Sequence, residues 1–188
     1  GNRTLQRGLL ITLLLVTSHF VGFTFVRPLL ITVAGFEPQW IGGVLFAYGL
    51  AGLAGNFLAG ITAMRHTTFT LMGIAAGLVL TPLLFITVGH SVIGGGATLL
   101  FWGLAYGGVS VGLMTWMMKA APRVVEIAAA LNVGVFTVGI ALGSCVGGEI
   151  VDRLALTDTL WLACGLAVVA LLTLLAASRD EKKIQVRA

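Results

Sequence analysis

Charge is what this 188-residue sequence most lacks: Asp, Glu, Lys and Arg make up only 10% of it, against about 25% in soluble domains. That scarcity excludes a water-facing surface of ordinary size. Cysteine is nearly absent as well, and Cys145 and Cys164 both sit inside apolar runs, which excludes a disulfide framework and leaves them packing roles. There is no phosphate-binding loop, no metal-ligand cluster and no nucleophile with a neighbouring base. The sequence therefore gives no footing for an enzyme, a metal or a cofactor. The net charge of +4 is spread between apolar runs rather than gathered into a patch, which argues against a nucleic-acid partner.

What is present is apolar. Hydrophobic residues make up 58% and the mean hydropathy is +1.05, values that specify an integral membrane protein. A bilayer core needs about 20 apolar residues per helix. On that basis six spans are expected, at about 9–34, 41–63, 69–89, 94–118, 125–151 and 160–177, joined by short loops. The polar stretch 178–188 is expected to be a fraying tail. Arg3 and Arg7 precede a first apolar run too long for a signal peptide, so it reads as a retained span. The chain opens on Gly rather than Met, as a trimmed piece of a longer protein would.

Basic residues set the expected orientation. Placing both ends in the cytoplasm leaves only Arg27 and Arg153 on the outer face, as the positive-inside rule prefers. Trp40 and Trp161 then begin the second and sixth spans at the outer interface, where amphipathic rings anchor.

An internal repeat organises the chain. Ala51–Arg65 (AGLAGNFLAGITAMR) aligns with Gly139–Arg153 (GIALGSCVGGEIVDR), matching Gly55 with Gly143, Gly60 with Gly148 and Arg65 with Arg153. An odd number of spans between the copies puts their loops on opposite sides of the membrane, the inverted repeat of many secondary transporters. Gly49, Gly52, Asn56 and Gly60 share one face of the second span, and Asn132, Gly139, Gly143 and Gly147 one face of the fifth. Such stripes let helix backbones approach closely in lipid, so both spans are expected to pack tightly. The Leu-rich third span, with a kink expected at Pro82, and the sixth span read as outer, lipid-facing helices.

These features resemble one half of a major facilitator superfamily transporter, most closely the C-terminal half of the drug:proton antiporter-type exporters that include sugar, arabinose and purine ribonucleoside efflux proteins. The residues that carry the resemblance are HFVGFTFVRP from His19 to Pro28, Ala34-Gly35-Phe36, Ala121-Pro122, and Gly139-Ile140-Ala141-Leu142-Gly143 with Gly147-Gly148. Met64 departs from the pattern, standing where the family's cytoplasmic loop motif often has Asp. The resemblance implies an all-α, six-helix bundle of two inverted three-helix repeats. It further implies that spans one and four line a cavity, spans two and five meet the N-terminal six-span half, and spans three and six face lipid. It places the protein in a bacterial inner membrane, exporting a small molecule against proton entry by alternating access.

Candidate residues follow from charge and polarity within the spans. Thr17, Phe20, Thr24 and Arg27 fall near one face of the first span, with Arg27 either a substrate or outer-gate contact or an anchor in the outer headgroups. Nearby, His19 is either a proton-coupling group or a packed core histidine. Trp102, Tyr106 and Ser110 recur every four residues in the fourth span, a stripe suited to a sugar, base or planar drug or to plain core packing. Glu149 and Arg153 form an i, i+4 pair beside Asp152, which together with Arg65 reads as gating or structural salt-bridge chemistry, with proton carriage by Glu149 as the other reading. Two other functions fit the composition: a homodimeric half-transporter or channel, and a non-transporting membrane scaffold.

Overall fold

The computed structural model describes the backbone of residues 2–187 and the side chains of residues 2–179. Among the described residues the only regular structure is helical, as a bilayer requires when each span must satisfy its own backbone hydrogen bonds. Five helices are long and apolar enough to cross a membrane, and one of them, at 51 residues, is long enough for two crossings. The chain is a multi-pass membrane protein.

The first span begins as Arg3–Phe23, with the Asn2 carboxamide oxygen accepting the backbone N–H groups of Thr4 and Leu5 at 3.1 Å. It breaks at Phe25 (φ −107°, ψ 18°) and resumes through Val26–Pro28 and a π-helical turn, Leu29–Val33. The break belongs to Pro28, which has no N–H to offer the carbonyl four residues back and crowds that turn. Gly35, at φ 78°, then turns the chain.

Spans two and three form one helix, Ile41–Val88, interrupted only at His66 (φ −133°, ψ 61°). The loop expected at 64–68 is thus a single non-helical residue, because nothing between Met64 and Thr68 is a Gly or Pro that would end a helix outright. The chain doubles back there: Gly55 before the break and Gly77 after it both lie against the fourth span, on Leu104 and Ala105. Pro82 stays within the helix with helical backbone angles.

The fourth span is Val92–Gly107 continued by Val109–Ala120, the fifth Val125–Arg153 and the sixth Asp158–Arg187. The sixth helix runs on where a fraying tail was expected, since Ser178–Arg187 also contains no Gly or Pro to stop it.

The repeat is visible in the packing. Span five lies along span one, where a Cβ at Gly143 would come within 2.8 Å of the Thr17 carbonyl and one at Gly147 within 2.7 Å of the Val21 carbonyl. Span two lies along span four in the same manner, Gly55 against Leu104 and Gly52 against Gly103 and Gly107. One to five and four to two are the same contact under the inverted repeat. Spans one and six are joined by the Ser18 hydroxyl donating to the Ala163 carbonyl at 2.7 Å, and three and six by the Cys164 thiol near the Val79 carbonyl at 3.8 Å.

The glycine stripes are only partly used inside the chain. Asn132 is buried and accepts from the Thr12 hydroxyl at 2.7 Å, and Gly139 sits against Val16. Gly60 has only Val111 at 4.0 Å, Gly49 has nothing within 4 Å of its Cβ position, and Asn56 is exposed. Gly49 and Asn56 therefore do not pack within this chain, because span two turns one face to span four and leaves the other open. Phe46, Leu50, Leu53 and Phe57 on that span, and Leu131, Val138 and Leu142 on span five, are likewise exposed.

Candidate functional site

Where the upper part of span one crosses span four, four rings stack in a continuous ladder. Tyr106 lies face to face with His19, ring centroids 3.4 Å apart and planes within 9°. His19 stacks in turn on Phe23 at 4.7 Å, and Phe23 on Tyr48 at 4.8 Å. Trp102 closes the ladder edge-on, 5.4 Å from His19 and 5.6 Å from Phe23, and Phe20 stands edge-on to His19 at 4.9 Å. The chain permits this because His19 and Phe23 are one helical turn apart, as are Trp102 and Tyr106, while Gly22 leaves room for the Trp102 ring.

The ladder is packed solid on its inner side. His19 and Trp102 are buried, and the cavity beside them measures about 10 Å³, room for no more than about one water molecule. Its outer side is open, with Phe20, Tyr48 and Tyr106 half-buried. His19 Nδ1 and Thr17 Oγ1 are buried without a hydrogen-bond partner among the described residues. His19 is also the only histidine or charged side chain that is buried there.

Other expected residues of spans one and four lie exposed further along the same helices. Thr24 is exposed, donates to the Phe20 carbonyl at 2.7 Å and meets the Ser144 hydroxyl of span five at 2.9 Å. Arg27 is exposed just past the break in span one, with no ion pair among the described residues. Ser110 is exposed, just beyond the Gly107–Gly108 junction and four residues past Tyr106. Tyr48 and Phe23 were not among the expected site residues. Phe23 had a signal, its four-residue spacing from His19; Tyr48 stands alone among Gly, Ala and Leu on span two and had none.

The charged candidates lie at opposite ends of the bundle. Glu149 and Arg153 pair with each other in the last turn of span five, both well exposed, and Asp152 beside them is exposed as well. Arg65 is at the other end, near the break at His66. There Lys119 does what the sequence did not reveal: its ammonium donates to the Met64 carbonyl at 2.8 Å, the Thr67 hydroxyl at 2.8 Å and the Ala63 carbonyl at 3.4 Å. These are acceptors left over where the helix breaks. A backbone carbonyl of Met64 thus meets a cation without an acidic side chain at that position.

Comparison with known proteins agrees with this architecture. No protein-family model matches the chain. Its relatives include the MFS-type transporters YfhI and YtbD of Bacillus subtilis, the first 35% identical over 168 residues and the second 36% identical over 179 residues. Those alignments cover 84% and 92% of this chain but 41% and 44% of the relatives. The purine ribonucleoside efflux pump NepI of Escherichia coli O157:H7 is 28% identical across 96% of this chain and 47% of its own length. Among solved structures, the POT family transporter PepTSo superposes on 95% of the chain and 38% of its own, with a TM-score of 0.77 at 15% identity. The bundle is half of a major facilitator fold. Its relatives are transporters rather than enzymes, and the chain spans less than half the length of those it matches. Their coverage agrees with a six-helix unit whose second and fifth spans each leave one apolar face open.

Proposed function

We propose that this chain is the C-terminal half of a proton-coupled exporter of the bacterial inner membrane, with both of its ends in the cytoplasm. An N-terminal six-span half of the same protein covers the open faces of spans two and five, where Asn56 finds its partner across the interface. The two halves rock about a substrate held near the midplane.

The observation that carries the reading is the ring ladder with Tyr106 and Phe20 at its open side. A flat aromatic wall, with the exposed Thr24 and Ser110 hydroxyls one helical turn beyond Phe20 and Tyr106 and Arg27 further along span one, suits a planar, polar small molecule. A nucleoside fits this description better than a sugar, because its base can continue the stack. The relative NepI, a purine ribonucleoside efflux pump, supports that substrate class. His19 and Trp102 form a second layer that holds Tyr106 in place. Glu149, Asp152 and Arg153 at one end and Arg65 at the other are the gating candidates. No acid lies in the described parts of spans one and four, so His19 or an acid in the other half carries the proton.

Binding of inosine, adenosine, a hexose and a cationic dye to the natural-length protein, by thermal shift and calorimetry, tests this reading. Tyr106→Ala is expected to weaken nucleoside binding by about 1–3 kcal/mol, the worth of one base–aromatic stack. Equal affinity in wild type and variant removes the ladder from the site. Dissipation of an imposed pH gradient by substrate in inside-out vesicles tests the coupling.

A further inference from the structure

At the end of the bundle that carries Asn2 and Lys119, a cavity of about 590 Å³ opens beside the break at His66. Arg65, His66 and Lys119 line it together with threonine and serine hydroxyls, and none of its described lining residues is acidic. Lys119 is occupied by the helix carbonyls, so it contributes charge rather than free donors. Arg65 and His66 are exposed and have no ion pair among the described residues. Phe69, Met72 and Trp116 make the rest of the wall apolar.

Phe69 also lines a second cavity of about 320 Å³, which lies between the two limbs of the span two and three hairpin and against span four, so that one ring borders both. Its walls are kept low by Gly55, Gly73, Gly77 and Gly108. The two hydroxyls that border it are spent on their own helices, Thr62 on the Leu58 carbonyl and Thr70 on the His66 carbonyl, both at 2.9 Å. This trough therefore offers an occupant apolar contact and no hydrogen bonds. A basic cup at a span end, with an apolar trough on the other side of Phe69, matches the head and one chain of a phospholipid.

We infer that this end of the bundle binds an anionic phospholipid, its phosphate against Arg65 and His66 and one acyl chain in the trough below Phe69. Free phosphate would fill only the cup and leave the trough unfilled. A zwitterionic lipid would bring its own cation to a cup that already holds Arg65 and Lys119. Basic pockets between spans at a cytoplasmic interface are suited to anionic headgroups for the same reason.

Native mass spectrometry of the natural-length protein, delipidated and titrated with phosphatidylglycerol or phosphatidylcholine of matched chains, tests the assignment. Phosphatidylglycerol is expected to bind about five-fold more tightly, the worth of one basic contact at a membrane surface. Arg65→Gln is expected to erase that preference and Arg65→Lys to keep most of it. Gly73→Leu, where an added Cβ meets nothing within 4 Å, is expected to weaken both lipids by filling the trough. Inorganic phosphate at millimolar concentration is expected not to displace the lipid. Equal binding of the two lipids, a preference unchanged in Arg65→Gln, indifference to Gly73→Leu, or displacement by phosphate would each overturn the inference. Melting temperatures of the variants show whether any loss is merely unfolding, in which case Arg65→Lys and Gly73→Leu decide.

Discussion

Alanine at Gly55 or Gly143 tests the inverted packing directly. A Cβ at Gly55 would run into the backbone carbonyl of Leu104, and one at Gly143 would stand 2.8 Å from both the Thr17 carbonyl and the Phe20 Cβ. Backbone cannot rotate away as a side-chain tip can, so each substitution forces two helices apart, an overpacking cost of about 1–3 kcal/mol. Alanine returns about 1 kcal/mol of helix propensity over glycine, leaving a net loss of up to about 2 kcal/mol at each site. For a protein of this size that lowers the melting temperature by up to about 8 °C. Gly165 on the sixth span is the control, since its Cβ position meets nothing within 4 Å; there alanine keeps only the propensity gain and raises the melt slightly. The assay is thermal unfolding in detergent, followed by circular dichroism or by tryptophan fluorescence. If Gly55→Ala and Gly143→Ala melt no lower than Gly165→Ala, the close backbone contacts of one to five and four to two are not what holds the bundle. If the two differ greatly from each other, the repeats do not pack as equivalents.

Lys119→Met is expected to expose the turn at His66, seen as faster proteolysis or hydrogen exchange between Ala63 and Thr70, with Lys119→Arg giving partial protection. Asn132→Leu should cost only about 0.6 kcal/mol, the mean for a hydrogen bond between membrane helices; the Thr12 hydroxyl keeps its bond to the Gly8 carbonyl at 3.0 Å. Glu149→Gln removes an exposed i, i+4 pair and should change stability by no more than about 0.5 kcal/mol. A transport defect in that variant with an unchanged melt would therefore report gating.

The six spans and the repeat were legible because they rest on patterns within single helices: apolar runs of bilayer length, and glycines recurring on one face. Trp102, Tyr106 and His19 were legible as candidates for the same reason. What escaped were relations between helices. Tyr48 joins the ladder only because Gly103 and Gly107 bring span four close enough to span two. Lys119 reads as one more cytoplasmic cation until the fold brings it to acceptors more than fifty residues away. The same limit applies to Gly49 and Asn56, which share a face with Gly52 but lie where that face has turned away from span four. A stripe shows which residues point together, not how wide the neighbour is.

The ties at the Lys119 end form a one-sided clasp. There the Asn2 carboxamide donates to the Ala120 carbonyl at 2.6 Å, the Trp116 indole donates to the Thr4 carbonyl at 3.1 Å, and Lys119 holds the turn between spans two and three. Toward the opposite end the Thr24 and Ser144 hydroxyls meet across spans one and five at 2.9 Å, while Glu149 with Arg153 and Gln39 with Glu37 stay within one helix or one turn. The two three-helix repeats are thus tied by more polar contacts at the Lys119 rim than at the other. Like a clothes peg, a bundle fastened this way is expected to spread first from its less fastened rim.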